Sequence, residues 1–273
     1  MPRYFIEVAY KGTRYAGFQI QHNANTIQGE VEKAFSVLFP KQPSPKGEGQ
    51  GVRGSFPSFR EGVGVGLTCS SRTDAGVHAL QNFFHFDWPE EFDQQKIYNL
   101  NAILPTDIVI KKIYRVAEDA HCRFDALNRT YNYRIYRYKN PFLTETAYFY
   151  PYPLGLDKLN EAASLLKTYS DFTSFSKRNT QVKTFLCNIM ESSWVQKDGL
   201  IIYEVKANRF LRGMVRALTA TMLKVGRGII SLDEFKNIIE LKDCTKAYFD
   251  TPAHGLFLME VSFLQSLVSH RTC

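Results

Sequence analysis

Apolar residues in the first half of the chain alternate between strand spacing and helix spacing. Alternation predicts a strand over residues 3–10, and apolar positions three and four apart then predict a helix that begins after an Asn25-Thr26 cap. Beyond this helix we expect strands at 67–70, 81–87 and 108–116, and a helix at 93–104 that ends before Pro105. The expected order of elements is therefore β-α-β-β-α-β.

The second half of the chain repeats this order. Tyr131, Tyr133 and Ile135 alternate within a strand expected at 130–138, which a helix at 157–168 follows. The remaining elements are expected to be strands at 183–196, 200–207 and 256–263 and helices at 210–225 and 232–241. The fold class expected is α+β, with two ferredoxin-like halves, residues 1–118 and 119–273. They would form two mainly antiparallel sheets with a central cleft for a ligand.

One segment of the first half fits neither spacing. Residues 42–66 contain 7 of the 17 glycines and three of the 11 prolines of the chain. Such a segment buries too little apolar surface to offset its ordering entropy. Its glycines do not have the spacing of a phosphate-binding loop. We therefore expect a flexible surface insertion here rather than a ligand loop.

Composition and charge restrict the class of protein. Hydrophobic residues make up 44% and charged residues 22% of the chain, which is typical of globular proteins. We expect no membrane span and no secretory leader, and hence a cytoplasmic protein, because long apolar runs are missing and Glu7 interrupts the first segment. The five cysteines form no Cys-x-x-Cys pair, so reduced thiols are expected. A net charge of +7 favours a polyanionic partner such as nucleic acid.

The densest cluster of chemically active residues is the loop at 70–78, between two predicted strands. Asp74 in this loop fits a simple turn, in which its carboxylate would bond the amides that follow. A hydrolase triad of Ser70 or Ser71 with His78 and Asp74 lacks the Gly-x-Ser-x-Gly elbow. A zinc deaminase lacks the Cys-x-x-Cys partner that His78 would need. The residue types alone leave a turn and a catalytic loop open.

The sequence Arg-Thr-Asp-Ala-Gly-Val-His at 72–78 resembles the signature of the tRNA pseudouridine synthase A family. The chain departs from the family pattern at Phe18, where many members have Trp, and in the insertion. The resemblance implies an isomerase that converts uridine to pseudouridine at positions 38, 39 and 40 of the tRNA anticodon stem-loop. It also implies an RNA-binding cleft, a homodimer, and no cofactor or metal. Similar motifs lie at 10–19, 120–126, 129–133, 171–175, 206–216 and 252–258.

The same resemblance implies the catalytic residues. Asp74 matches the catalytic aspartate of the family, and breaking the glycosidic bond needs a carboxylate that attacks C1′ or removes a C2′ proton. Tyr131 is expected to stack on the target base and to assist removal of the C5 proton. Arg216 is expected to be the fixed cation that keeps Asp74 ionised. On the helix expected at 210–225, Arg212 and Arg216 would share one stripe.

Binding residues are implied in the same way. A stacked uridine must be flipped out of its stem, and Arg72 is expected to fill the gap that it leaves. Leu256 is expected to close the pocket against the base. Arg123 and Lys183 are the preferred phosphate contacts, ahead of Arg14, Lys177 and Arg178.

Two other functions stay open at this point. A non-catalytic RNA-binding protein is compatible with the expected architecture, which also carries RNA-recognition modules. A small-molecule glycosidase needs a second carboxylate about 5 to 10 Å from the first, and no motif supplies one.

Overall fold

The computed structural model describes residues 1–40, 66–178, 182–264 and 267. In this part of the chain the protein is a mixed α+β fold with a mainly antiparallel sheet. Residues 42–65 of the expected insertion lie outside the described residues.

The first half contains four strands and two helices in the predicted order. The side chain of Thr26 caps the first helix by accepting a hydrogen bond of 3.2 Å from the amide of Gly29. The first and fourth strands have the predicted bounds, and the third begins earlier than expected, at His78. The elements are β1 (Arg3–Tyr10), α1 (Ile27–Leu38), β2 (Thr68–Cys69), β3 (His78–Asp87), α2 (Lys96–Ile103) and β4 (Ile108–Val116).

The second half adds a short strand that the sequence pattern did not predict. The helix expected at 210–225 begins at Met214 rather than at residue 210, because Gly213 before it has a left-handed backbone with a φ of 75°. Arg212 therefore lies outside that helix, and the expected stripe shared with Arg216 is wrong. The elements are β5 (Asn128–Tyr136), β6 (Tyr148–Phe149), α3 (Leu156–Leu165), β7 (Ile189–Lys197), β8 (Leu200–Ala207), α4 (Met214–Gly226), α5 (Leu232–Glu240) and β9 (Leu256–Ser262).

The nine strands of the described residues form one sheet, in the order β4-β1-β3-β9-β5-β8-β7. Strand β2 pairs with β3, and β6 pairs with β5. The expectation of two separate sheets is wrong, because β3 and β9 pair in parallel at His78↔Phe257 and Ala79↔Leu258. This short ladder joins the first half to the second beside the loop at 70–78. A division of the chain at residue 118 stays a prediction.

Two clusters of buried side chains lie against this sheet. The first includes Phe18 and Phe84, whose rings stack with their centroids 4.6 Å apart. The second includes Tyr133 and Met214. Tyr131 packs against both clusters, so its side chain lies where they meet. Phe18, which departs from the family pattern, is thus a core residue under the loop at 70–78.

Candidate active site

The loop between β2 and β3 contains a tight turn at Asp74. The backbone carbonyl of Asp74 accepts a hydrogen bond of 3.2 Å from the amide of Val77, and Gly76 has a φ of 77°. The turn thus uses the backbone oxygen of Asp74 and not its carboxylate. The side chain of Asp74 is 25% exposed, so a ligand can reach it.

Two glycines of the 10–19 motif support this loop from below. A Cβ on Gly12 would lie 2.0 Å from the carbonyl oxygen of Val77, and a Cβ on Gly17 would lie 3.1 Å from that of Thr73. The Thr73 carbonyl also accepts a hydrogen bond of 3.1 Å from the amide of Phe18. Only glycine permits so close an approach of two backbones. The motif therefore fixes how closely the loop at 70–78 lies to the backbone of residues 12–17.

A buried polar network holds the side chains that precede Asp74. The hydroxyl of Tyr10 lies 2.8 Å from Oγ1 of Thr73 and accepts a hydrogen bond of 3.1 Å from Nδ2 of Asn82. Ser70 donates through its hydroxyl to Oδ1 of Asn82 at 2.7 Å. Burial raises the pKa of Tyr10 above its usual range, so its hydroxyl keeps its proton.

His78 connects the loop to two other segments. Its Nδ1 accepts a hydrogen bond of 3.1 Å from the amide of Gly12, and its Nε2 donates to the carbonyl of His254 at 3.0 Å. The ring also stacks on Phe257 with a centroid distance of 4.5 Å. Burial lowers the pKa of His78, which favours the neutral ring that both bonds require. With both nitrogens bound to backbone groups, His78 does not activate a serine.

The cations nearest to the Asp74 carboxylate differ from the expected one. Nζ of Lys177 lies 3.9 Å from Oδ2, and Nε of Arg212 lies 3.9 Å from Oδ1. The guanidinium of Arg216 instead donates to the carbonyl of Thr251, from Nε at 2.9 Å and from Nη2 at 2.6 Å. The structure therefore does not place Arg216 in the expected ion pair, and a role for Arg216 in the reaction stays a prediction.

Tyr131 lies within electrostatic reach of Asp74. The pKa of Tyr131 is raised to about 12, mainly by burial; Arg129 lowers it, and the charge of Asp74 makes a smaller contribution that raises it. Its ring contacts Phe210 edge-on, with centroids 5.1 Å apart. Leu256 lies on the neighbouring strand β9, and its side chain is only 7% exposed. The structure thus brings Tyr131 towards Asp74, whereas Leu256 is mainly a core residue.

Arg72 and Arg123 line one pocket. It has a volume of about 230 Å³, and His121 and Phe124 also contribute to its wall. Phe124 is 75% exposed, and the guanidinium of Arg123 lies 5.8 Å from its ring centroid. Two guanidinium groups beside an exposed aromatic ring suit a phosphate and a stacked base.

The other predicted phosphate contacts are scattered. Arg14 is held by Asp107, with Nη2 at 2.7 Å from Oδ2. Lys177 faces Asp74. Arg178 and Lys183 are exposed, and the described chain is interrupted between them at 179–181. Of the five candidates, Arg123 alone lies in the same pocket as Arg72.

Known proteins match nearly the whole chain. A protein of Parabacteroides distasonis named tRNA pseudouridine synthase A is 42% identical over 98% of this chain and 98% of its own length. Proteins of the same name from Bacteroides fragilis and Anoxybacillus flavithermus are 44% and 37% identical, over 97% and 96% of this chain and 98% and 99% of their own lengths. A family model described as tRNA pseudouridine synthase matches residues 162–264. The chain belongs to the tRNA pseudouridine synthase A family.

Membership confirms the resemblance read at 72–78, and it covers motif residues to which the sequence gave no role. The clearest is Arg129, whose guanidinium donates to the carbonyls of Arg123 at 2.8 Å, Ala126 at 3.0 Å and Asn208 at 3.0 Å. It also lies 3.4 Å from the carbonyl of Ser70. Arg129 thus ties the Arg123 segment to the start of the loop at 70–78. Its place two residues before Tyr131 was the only signal in the sequence.

The described residues contain no cluster of three or more His, Cys, Asp or Glu side chains that could hold a metal ion. Nor is any of their helices long and apolar enough to cross a membrane. Within the same part of the chain the cysteines are free, and Cys69, Cys122 and Cys187 are buried.

Proposed function

We propose that this chain isomerises uridine to pseudouridine in tRNA, with Asp74 as the reacting carboxylate, at positions 38, 39 and 40 of the anticodon stem-loop. The observation that carries the proposal is that the Asp74 carboxylate is accessible, has a cation 3.9 Å from each of its oxygens and interacts electrostatically with Tyr131. The names of the relatives support the substrate and the reaction.

The reaction exchanges one bond to the ribose for another. The bond from C1′ to N1 breaks, the uracil turns, and a bond forms from C1′ to C5, while C5 loses a proton and N1 gains one. Nothing is oxidised, so the protein must supply a carboxylate and a rigid pocket rather than electrons. Asp74 acts either as a nucleophile at C1′ or as a base at C2′.

Tyr131 is assigned to the target base. Its raised pKa, about 12, keeps the hydroxyl protonated at neutral pH, so the tyrosine acts by stacking and as a hydrogen-bond donor. The edge-on contact with Phe210 supports this role, because it holds the aromatic ring in one orientation. Leu256, on the strand next to Tyr131, is assigned to the wall of the same pocket.

The RNA is assigned to the side of the sheet where Arg72 and Arg123 meet. Flipping the uridine costs a few kcal/mol of stacking and pairing, and the planar guanidinium of Arg72 would replace part of that stacking. Arg123 would contact phosphate in the same pocket, and Lys183 would extend the track. The strand orders β4-β1-β3-β2 and β9-β5-β8-β7 support two ferredoxin-like halves with the RNA in a central cleft. A homodimer and a cytoplasmic location also stay predictions.

The deciding experiment is carbodiimide or mass-spectrometric mapping of pseudouridine in unmodified tRNA transcripts, without added cofactor. Wild-type protein should produce pseudouridine at positions 38 to 40, and Asp74→Asn should produce none while binding tRNA within a few-fold of the wild type. Asp198→Asn is the matched control, because Asp198 lies in the exposed turn between β7 and β8 and has a φ of 51°, which asparagine tolerates. Tight tRNA binding by the wild type without conversion would favour a non-catalytic RNA-binding protein.

A further inference from the structure

Each oxygen of the Asp74 carboxylate faces a different cation. Lys177 lies 3.9 Å from Oδ2 and Arg212 lies 3.9 Å from Oδ1. Both separations are longer than a hydrogen bond, so the contacts are ionic and leave the lone pairs of both oxygens free for a reacting atom. The two cations therefore restrict the position of the carboxylate without forming hydrogen bonds to its oxygens.

The backbone of Lys177 is fixed by buried neighbours. Phe175 and Ser176 are both buried, and the amide of Lys177 donates to the carbonyl of Arg212 at 3.0 Å. This bond ties the two cations to each other. An ammonium on a fixed backbone loses less freedom on contact than one on a mobile loop.

The methylene stem of Lys177 runs over Gly213 on its way to Asp74. A Cβ on Gly213 would lie 3.1 Å from Cγ and 3.2 Å from Cε of Lys177, so a side chain at this position would displace the lysine. The φ of 75° at Gly213 is a second reason for glycine here. Because Gly213 has no side chain, the side chain of Lys177 can pass over it and reach Asp74.

The same glycine determines where Arg212 lies. Because α4 begins only at Met214, Arg212 precedes the helix, and the buried side chains of Leu211 and Met214 hold the segment on either side of it. Arg216 lies in the first turn of the helix and is bound to Thr251. The cations that contact Asp74 therefore come from the segment before α4 and from the loop that holds Lys177.

We propose that Lys177 and Arg212 are positioning residues that hold the Asp74 carboxylate in the orientation needed for its reaction with the ribose. The inference rests on the proposed function, since it assigns a role to two residues through Asp74. An error of about 1 Å in the placement of a reacting group can cost two orders of magnitude in rate. Contacts at both oxygens restrict the carboxylate more than one contact would, and neither cation needs to touch the RNA.

The test is single-turnover conversion of a tRNA transcript at saturating enzyme, together with tRNA binding at several salt concentrations. Lys177→Met should slow conversion about tenfold or more while the Kd for tRNA stays within about twofold. Lys177→Arg should retain most of the wild-type rate because it keeps the positive charge at this position. Lys236→Met is the control: Lys236 lies on α5 and pairs with Asp233 at 3.1 Å, so the substitution removes the same charge without removing a contact with Asp74. This control should behave as wild type.

Arg212→Gln provides a second test, because Arg212 is 64% exposed and its loss should not impair folding. It too should slow the single-turnover rate. A wild-type rate in both variants would overturn the inference. If tRNA binding were weaker as well, with a shallower salt dependence at that unchanged rate, the two cations would be phosphate contacts instead. Asp74→Asn separates the two proposals. If Asp74→Asn is active, the assignment of Asp74 fails; if only the Lys177 and Arg212 variants are active, the positioning role fails alone.

Discussion

The hydroxyl of Tyr10, at the end of the first strand, lies 2.8 Å from Oγ1 of Thr73, the residue before Asp74. Asn82 completes the group by donating to the same hydroxyl. Both Tyr10 and Asn82 belong to regular strands, so these buried hydrogen bonds anchor the loop to the sheet and restrict its motion.

Removing this hydroxyl should affect the rate as well as stability. Tyr10→Phe leaves a buried donor of Asn82 with one partner fewer, and we expect it to cost about 1–2 kcal/mol of unfolding free energy and to lower kcat. Tyr4→Phe is the matched control, because Tyr4 also belongs to the first cluster of buried side chains and its hydroxyl donates to the carbonyl of Glu90 at 3.2 Å. Urea unfolding and single-turnover conversion measure both effects. Equal rates in the two variants would show that the hydroxyl does not position the loop.

The close approach beneath the loop gives a second prediction. Gly12→Ala would place a Cβ 2.0 Å from the carbonyl oxygen of Val77, so the backbone must move, at a cost of about 1–3 kcal/mol. Conversion should fall with it, because Val77 closes the turn at Asp74. Gly199→Ala is the comparison: its φ is 76°, but nothing lies within 4 Å of the added Cβ. It should lose about 1 kcal/mol without loss of rate. Thermal unfolding and pseudouridine mapping distinguish the two.

Arg72 offers a prediction that separates flipping from binding. If its guanidinium replaces the flipped uridine, Arg72→Ala should lower the rate of conversion more than the affinity for tRNA. A transcript with a mismatched or looped-out target should then recover part of the rate, because its uridine is already unstacked. Affinity that falls at an unchanged rate, with a smaller salt slope, would instead identify Arg72 as a phosphate contact.

The buried histidines predict a dependence of stability on pH. The pKa of His85 is lowered to about 4, mainly by burial and in part by the neighbouring His121, whose ring centroid lies 4.6 Å from that of His85. The unfolded chain binds a proton near pH 6.5 and the folded chain does not, so stability is present above pH 6.5 and is lost as the pH falls towards 4. The full loss from this group is on the order of 3 kcal/mol.

Urea unfolding at pH 7, 5.5 and 4.5 should therefore show a steep fall in the midpoint for the wild type. His85→Asn should flatten that fall, since the amide oxygen can accept the Cys122 amide bond and does not titrate in this range. Replacing the exposed His22 by Gln should leave the slope unchanged. An unaltered slope in His85→Asn would assign the pH dependence to other groups.

Regular strands were predictable from the sequence, but the joining of the two halves was not. Strands β1, β4 and β8 have their predicted bounds because each is an alternating run between turn residues. The ladder between β3 and β9 contains only His78↔Phe257 and Ala79↔Leu258, and two residue pairs leave no periodic trace. Pairing partners so distant in sequence depend on tertiary packing.

The candidate site was predictable in part for a similar reason. Asp74 was located through its motif. The start of α4 was placed too early because Phe210, Met214 and Leu218 have helical spacing, although the φ of Gly213 prevents a helix before Met214. Lys177 was interpreted as a phosphate contact, since nothing in a linear sequence shows that it approaches Asp74 across Gly213.

The contacts that hold the Asp74 loop also become available at different times as the chain is synthesised. His78 binds the carbonyl of His254, which lies 176 positions later in the chain. A chain synthesised from its N-terminus carries the full signature sequence while this partner and the ladder with β9 do not yet exist. The loop of such a nascent chain has its contacts with Tyr10, Gly12 and Asn82 but not those with His254 and β9. A fragment that ends before residue 253 would therefore contain every residue of the 72–78 motif but lack the contacts of His78 with His254 and of β3 with β9. We expect such a fragment to convert less tRNA than the whole chain.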